Sequence, residues 1–195
     1  MTLFLASRSA TRRRMLEAAG VPFECISVNV DEDAEKERLR RQSVGARGLA
    51  EALAVLKAQS AHSADLVLGS DQTLELDNGS MLDKPSSRAD AFNQLKLLSG
   101  RTHMLHSAGA IIEGGELAWQ HTESVTLTMR LLGDDFLNDY LDREYEAIRC
   151  SVGGYRIEGL GIQLFDSIEG SHFAILGLPL LPLLAFLRQR GVLPS

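Results

Sequence analysis

The run Leu66-Val67-Leu68-Gly69-Ser70-Asp71-Gln72 sets a carboxylate at the end of an apolar stretch. Such a stretch reads as a buried strand, with Asp71 expected where that strand leaves the sheet. Open α/β sheets carry their chemistry at strand ends, because loops there converge on a ligand. Asp83-Lys84-Pro85 follows a turn signal at Asp77-Asn78-Gly79, and Leu5-Ala6-Ser7-Arg8-Ser9 leads into Arg12-Arg13-Arg14. One carboxylate and several cations at strand ends suit a polyanion and a metal.

Each of these residues has a chemical use and a plainer one. Arginines in the first turn of a helix oppose the macrodipole, at ~0.3–1 kcal/mol each. A bound phosphate chain would offset that cost, since helix-start N–H groups and guanidinium forks both suit phosphate. Solvated side chains are the plainer reading. The chain has 16 arginines and four lysines. Lys57 and Lys84 are compact charges able to neutralise a phosphate oxygen, or simply surface cations. Asp71 could ligate a hard cation or orient water, with Glu32 as a second oxygen donor, or it could cap a turn. Carboxylates without thiolates favour Mg²⁺ or Mn²⁺ over zinc. His103 and His106 fall on opposite faces of an expected strand and are read as structural.

The elements that position these groups follow from periodicity and caps. Thr2 to Ala6 reads as a strand, followed by a helix capped by Ser9 with Leu16 and Ala19 facing inward and Gly20 and Pro22 closing it. Phe23 to Val30 alternates as a half-buried strand. Asp31 to Arg41 is a solvated helix or mobile loop, with Glu37 and Arg41 spaced i,i+4. Gly48 to Ala61 is a helix carrying Lys57, and Asn78-Gly79 turns a short hairpin. A serine at 86 or 87 caps a helix ending at Ser99-Gly100. Thr102 to Ile112 and Leu117 to Leu127 are long strands joined at Gly114-Gly115, and Asp134 starts a helix. Ile162 to Leu176 is read as a strand pair turned at Glu169-Gly170, before a helix from Leu180 to Arg190. Strands and helices mix without strict alternation, so a mixed sheet is expected.

Composition narrows the class. A chain of 195 residues buries one sizeable core, and its 24% charged and 45% hydrophobic content is that of a globular protein. The net charge of −6 argues against nucleic-acid or membrane-surface binding. Cys25 and Cys150 form no zinc pattern and are read as small core residues of a reducing compartment. No signal peptide is evident after Met1. The most apolar stretch, Phe173 to Phe186, is 14 residues long and too short to span a bilayer. A cytoplasmic location is expected. No GxSxG, Walker A or GxGxxG pattern occurs.

Taken in order, these pieces resemble the Maf family of nucleoside triphosphate pyrophosphatases over nearly the whole chain. The family opening L-A-S-x-S-P-R-R stands as Leu5-Ala6-Ser7-Arg8-Ser9-Ala10-Thr11-Arg12. Val30-Asp31-Glu32, Lys57-Ala58, Gly69-Ser70-Asp71, Lys84-Pro85 and Leu98-Ser99-Gly100-Arg101 match in turn. Glu158-Gly159-Leu160-Gly161, Ile168-Glu169-Gly170 and Gly177-Leu178-Pro179 close the series. The ordered set is specific where each member is weak.

The resemblance implies one domain over residues 1–195, with a mixed α/β (α+β) fold of the Maf-like, inosine-triphosphatase-like kind. That fold is an elongated mixed sheet with flanking helices and two lobes around a cleft, often dimeric. It implies hydrolysis of a nucleoside triphosphate to a monophosphate and pyrophosphate with Mg²⁺ or Mn²⁺. Asp71 would be the base or water-orienting acid and would share the metal with Glu32. Lys57 and Lys84 would serve the chemistry, while Ser7, Thr11, Arg12 and Arg13 would meet the substrate. Gln72 and Glu158 match the branch resembling 7-methyl-GTP pyrophosphatases, and a carboxylate can accept from guanine N1–H and the exocyclic amine together. Thr11 stands where that branch carries an aromatic residue, and Ala10 replaces the family proline. A broad-specificity enzyme and a nucleotide-binding regulator with little turnover are the alternatives. A homodimer with no stable nucleic-acid partner and no membrane association completes the expectation.

Overall fold

The computed structural model describes residues 2–61 and 63–194. Along the chain run β1 (Leu3–Ala6), α1 (Ala10–Ala18), β2 (Glu24–Cys25), α2 (Glu32–Arg41), α3 (Ala46–Gln59), β3 (Leu66–Leu76) and β4 (Met81–Leu82). There follow α4 (Arg88–Leu98), β5 (Thr102–Glu113), β6 (Glu116–Met129) and α5 (Asp134–Ile148). Two 3₁₀ turns (Val152–Gly154 and Leu160–Leu164), β7 (Phe165–Glu169), α6 (His172–Ile175) and α7 (Leu180–Gln189) complete it. Among the described residues seven strands form one sheet, in the order β2-β1-β3-β5-β6-β7, with β4 paired to β3. β1 is parallel to β2 and β3, whereas β3–β4 and β6–β7 are antiparallel. The fold is a mixed α/β fold, as the mixed element order led one to expect.

The chain divides into two compact units. The first comprises Met1–Gln72, His106–Glu123 and Ser171–Ser195. β1 and the first residues of β3, which pair in parallel, are apolar on both faces, as parallel strands covered by helices must be. Leu3, Leu5, Leu66, Leu68 and Ile111 pack on Met15 and Leu16 of α1 and Leu183 and Leu187 of α7. The alternate residues Ala6, Val67 and Ile112 pack on Ala58 of α3. Ser9 caps α1 by accepting from the Arg12 N–H, and Asp31 caps α2 from Ala34. Asp31 to Arg41 is thus a helix, with Glu35–Arg38 and Glu37–Arg41 ion pairs on its exposed side.

The second unit comprises Thr73–Leu105 and Ser124–Gly170. Ser87 caps α4, whose Ala91, Leu95 and Leu98 are buried together with Leu137, Leu141 and Ile148 of α5. His103 Nε2 and Tyr155 Oη lie 2.8 Å apart, and the Tyr155 ring meets Phe165 edge-on at 4.9 Å. Glu144 of α5 takes a bidentate grip from Arg156, Nε to Oε2 at 2.6 Å and Nη2 to Oε1 at 3.2 Å.

Four expectations are corrected. β3 does not end at Asp71 but continues to Leu76. It is the neighbour that stops, because β1 ends with Ala6 opposite Gly69. Only Glu24–Cys25 of the segment 23–30 is strand, since β1 offers partners only at Phe4 and Leu5 and, beyond them, the Leu5 carbonyl to Ile26 N–H. The burial alternation of Ile26, Val28 and Val30 is nonetheless as expected. Ile162 to Leu176 is not a strand pair. β7 pairs with β6, and Ser171 caps α6 immediately afterwards. Cys25 and Cys150 are exposed free thiols rather than core residues.

α3 lies directly on β3 at Gly69. A Cβ there would sit 2.1 Å from the Ala54 carbonyl oxygen and 2.6 Å from the Ala58 nitrogen, both helix backbone. Gly69→Ala must therefore push the helix away, and urea unfolding is expected to show a loss of about 1–3 kcal/mol or more. Separately, burial pushes the His103 imidazole down to about 4. His103 stays neutral in the fold while the unfolded chain takes up a proton below pH ~6.5, so stability falls as pH drops from ~6.5 to ~4. At about 1.4 kcal/mol per pH unit over that window, this group costs roughly 3 kcal/mol. Denaturant midpoints across the window should show that slope in the wild type and a flatter one in His103→Phe.

Candidate active site

The close approach at Gly69 decides what Asp71 meets. Gly69 and Asp71 share a face of β3, so the helix seated on one presents its last turn to the other. Lys57, in that last turn, reaches Asp71 with Nζ 2.6 Å from Oδ1. The same ammonium lies 3.0 Å from Oε2 of Glu32, the first residue of α2. Asp71 and Lys57 side chains are only 12% and 11% exposed, while Glu32 is 37% exposed. Two carboxylates thus converge on one cation, with solvent access from the Glu32 side.

Arg12 is held on the other face of the strand. Its Nε donates to the Gly177 carbonyl at 2.8 Å and its Nη1 to the Ser70 carbonyl at 3.0 Å. Nη1 also reaches Ser7 Oγ at 3.4 Å, and that hydroxyl accepts from the Ser9 N–H at 3.2 Å. Burial lowers the guanidinium's affinity for its proton, and the negative charges of Asp71 and Glu32 oppose that shift. Those two carboxylates therefore act on Arg12 as well as on Lys57.

The remaining candidates are placed as follows. Gln72 Nε2 donates towards Ser107 Oγ at 2.8 Å, the Ala174 carbonyl at 2.9 Å and the Ile175 carbonyl at 3.0 Å. Thr11 Oγ1 faces Arg14 Nη2 at 3.5 Å, and Arg13 is exposed on α1. Lys84 and Glu158 belong to the second compact unit. Lys84 is exposed just after β4, beside buried Pro85. Glu158 is exposed in the loop that Arg156 anchors, and its charge strengthens that guanidinium's hold on its proton after the larger effect of Glu144. The structure thus gathers Asp71, Lys57 and Glu32 into one cluster, and Ser7 with Arg12 into another.

Sequence reasoning passed over Ser70, Ser107 and the Gly177 carbonyl. The signal was present: Ser70 and Gln72 are polar residues two apart on one face of a strand that opens with the apolar run Leu66-Val67-Leu68, and buried polar groups require partners.

A hard divalent cation fits what is present. Mg²⁺ is commonly held by one or two carboxylates together with substrate phosphates. Asp71 and Glu32 already share one positive centre in Lys57 Nζ.

Known proteins share this sequence pattern. A family model described as Maf-like protein matches residues 2–190. A Rhodospirillum rubrum protein named nucleoside triphosphate pyrophosphatase is 48% identical over 196 residues, covering 99% of this chain and 96% of that one. A Ruegeria pomeroyi protein of the same name is 45% identical over 196 residues, covering 99% and 98%. Among solved structures, a HAM1 protein from Coxiella burnetii aligns with 66% of this chain and 73% of its own, at 16% identity and a TM-score of 0.45. With a family match over almost its full length and relatives near half identity, the chain belongs to the Maf-like family.

Proposed function

We infer that this chain is a nucleoside triphosphate pyrophosphatase, a hydrolase that splits its substrate into a nucleoside monophosphate and pyrophosphate. The observation that carries the inference is the cluster in which Lys57 joins Asp71 and Glu32 while Arg12 lies under the influence of both carboxylates. The names of the relatives that share nearly the full length of the chain support it.

The chemistry asked of the residues is in-line attack by water on the α-phosphorus. A P–O bond forms to the water oxygen, and the bond from the α-phosphorus to the bridging oxygen breaks, releasing pyrophosphate. Asp71 orients the water and takes its proton, with the Lys57 ammonium 2.6 Å from its Oδ1. Arg12 and Ser7 hold phosphate oxygens, since a guanidinium and a hydroxyl both donate to them. A divalent cation held by Glu32 and Asp71, Mg²⁺ or Mn²⁺, would supply charge neutralisation for the phosphate chain and the leaving group. Lys84 is assigned to the phosphate chain through its place in the Lys84-Pro85 motif. Glu158 is assigned to the base: its carboxylate can accept from both guanine N–H groups of one edge, and a 7-methyl-GTP substrate would use that pairing.

Asp71→Asn removes the proton acceptor and leaves the phosphate-binding cations in place. Its kcat is expected to fall by about 10²–10⁴-fold while calorimetry shows nucleotide affinity within several-fold of wild type. Near-normal turnover would take Asp71 out of the mechanism. For the base, pyrophosphate release should be measured with Mg²⁺ or Mn²⁺ across 7-methyl-GTP, GTP, dTTP, UTP and CTP. The expected result is a preference for 7-methyl-GTP that Glu158→Gln erodes more than it lowers the overall rate, with release abolished by chelator. A preference for another base would keep the reaction and reject the substrate; saturable binding with no pyrophosphate released would favour a regulator.

A further inference from the structure

Ser70 and Gln72 lie on the face of β3 opposite Gly69 and Asp71. There they meet the end of α6, whose Ala174 carbonyl also accepts from the Gly177 N–H at 2.9 Å. The Ala174 carbonyl accepts from Gln72 Nε2 at 2.9 Å and Ser107 Oγ at 2.6 Å, and the Ile175 carbonyl from Gln72 Nε2 at 3.0 Å. Two residues on, the Gly177 carbonyl accepts from Ser70 Oγ at 2.8 Å and from Arg12 Nε at 2.8 Å. The two carbonyls facing Gln72 dictate that its amide nitrogen points toward them. That nitrogen has two protons and three oxygens within reach, counting Ser107, so its donors are consumed.

Gly177 is a residue only glycine serves well. Its φ is +96°, and a Cβ there would come within 3.1 Å of Arg12 Nη2. The guanidinium lies flat against this turn, with Nε tied to it and Nη1 tied to the Ser70 carbonyl and Ser7. Among the described residues no acceptor meets Nη2. The direction of that free edge is therefore set by where the turn sits, and the turn sits where Gln72 and Ser107 hold it.

We propose that Gln72 and Ser107 are positioning residues: by gripping the Ala174 and Ile175 carbonyls they fix the Gly177 turn, whose carbonyl aims the Arg12 guanidinium at the triphosphate chain. This rests on the pyrophosphatase assignment and gives Gln72 a phosphate-directed role in place of contact with the base.

Inorganic tripolyphosphate separates the two roles, because it has a phosphate chain and no base. Its affinity, measured by calorimetry in Mg²⁺ buffer, is expected to weaken about five- to twentyfold in Gln72→Met. kcat/KM across the nucleotide panel should fall by a common factor, leaving the order among bases unchanged. In an Arg12→Lys background the same substitution should cost less than about twofold, because the group it acts through is gone. Ser107→Ala, a smaller change, runs through the same cycle should Gln72→Met fail to fold. Unchanged tripolyphosphate affinity with a reordered base preference overturns the proposal and makes Gln72 a base reader. Losses that add in the double variant also overturn it, since Gln72 would then act independently of Arg12. A wild-type chain that neither binds tripolyphosphate nor releases pyrophosphate from any nucleotide overturns the enzymatic assignment itself, before any substitution is made.

Discussion

A helix can lie against a strand closely enough to hand it a side chain only where the strand offers no Cβ at the crossing. Gly69 meets that condition, with the Ala54 carbonyl and the Ala58 nitrogen of α3 occupying the space a side chain would need. The small faces of Ala54 and Ala58 make the helix side equally thin. Because α3 is seated there, Lys57 stands over Asp71, and the cluster with Glu32 exists. A helix displaced by the radius of a methyl group would leave a buried carboxylate without its cation, a situation that costs several kcal/mol. The cluster of Lys57, Asp71 and Glu32 thus depends on one steric contact between backbones.

β3 then distributes two tasks by alternation. Gly69 and Asp71 look toward α3, and Ser70 and Gln72 look toward the end of α6. One face carries the acid and the other organises the arginine, so a single strand coordinates both without either competing for the same space. Ionic pairs inside proteins gain little stability against their desolvation. Lys57–Asp71 is therefore not explained by stability alone. The hydrogen bonds to Gly177 and α6 play a different part, adding side-chain donors to carbonyls at a helix end.

In the second unit the buried polar groups form a rigid brace. Arg156 forks onto Glu144, whose side chain is only 8% exposed, and this pairing holds the guanidinium firmly protonated. Tyr140 donates to the Gly154 carbonyl at 3.3 Å, and burial raises both its phenol and that of Tyr155 well above the ordinary range. Gly159 and Gly161 leave room for Arg156 itself, since a Cβ at either would lie within 3 Å of it. The loop bearing Glu158 is therefore wrapped around its own arginine and pinned to α5.

Local structure was legible in the residues because its causes are local. Ser9, Asp31 and Ser87 cap helices through hydrogen bonds spanning three residues, and Gly114-Gly115 turns β5 into β6, so short-range patterns suffice. The ordered motifs likewise pointed to the family. What neighbours do to one another was not legible. Phe23 to Val30 alternates like a strand but pairs only as far as β1 extends, and Asp71 stands at an opening made by the end of β1 rather than of its own strand. Cys25 and Cys150 look like core residues by type, yet no packing surface covers them. The sharing of Lys57 between Asp71 and Glu32, and the grip of Gln72 and Ser107 on α6, join residues far apart in the chain. The sequence by itself determined the periodicities, caps and residue types; only the tertiary structure decided which of those groups meet, because that depends on strand lengths and helix approach distances that no local pattern encodes.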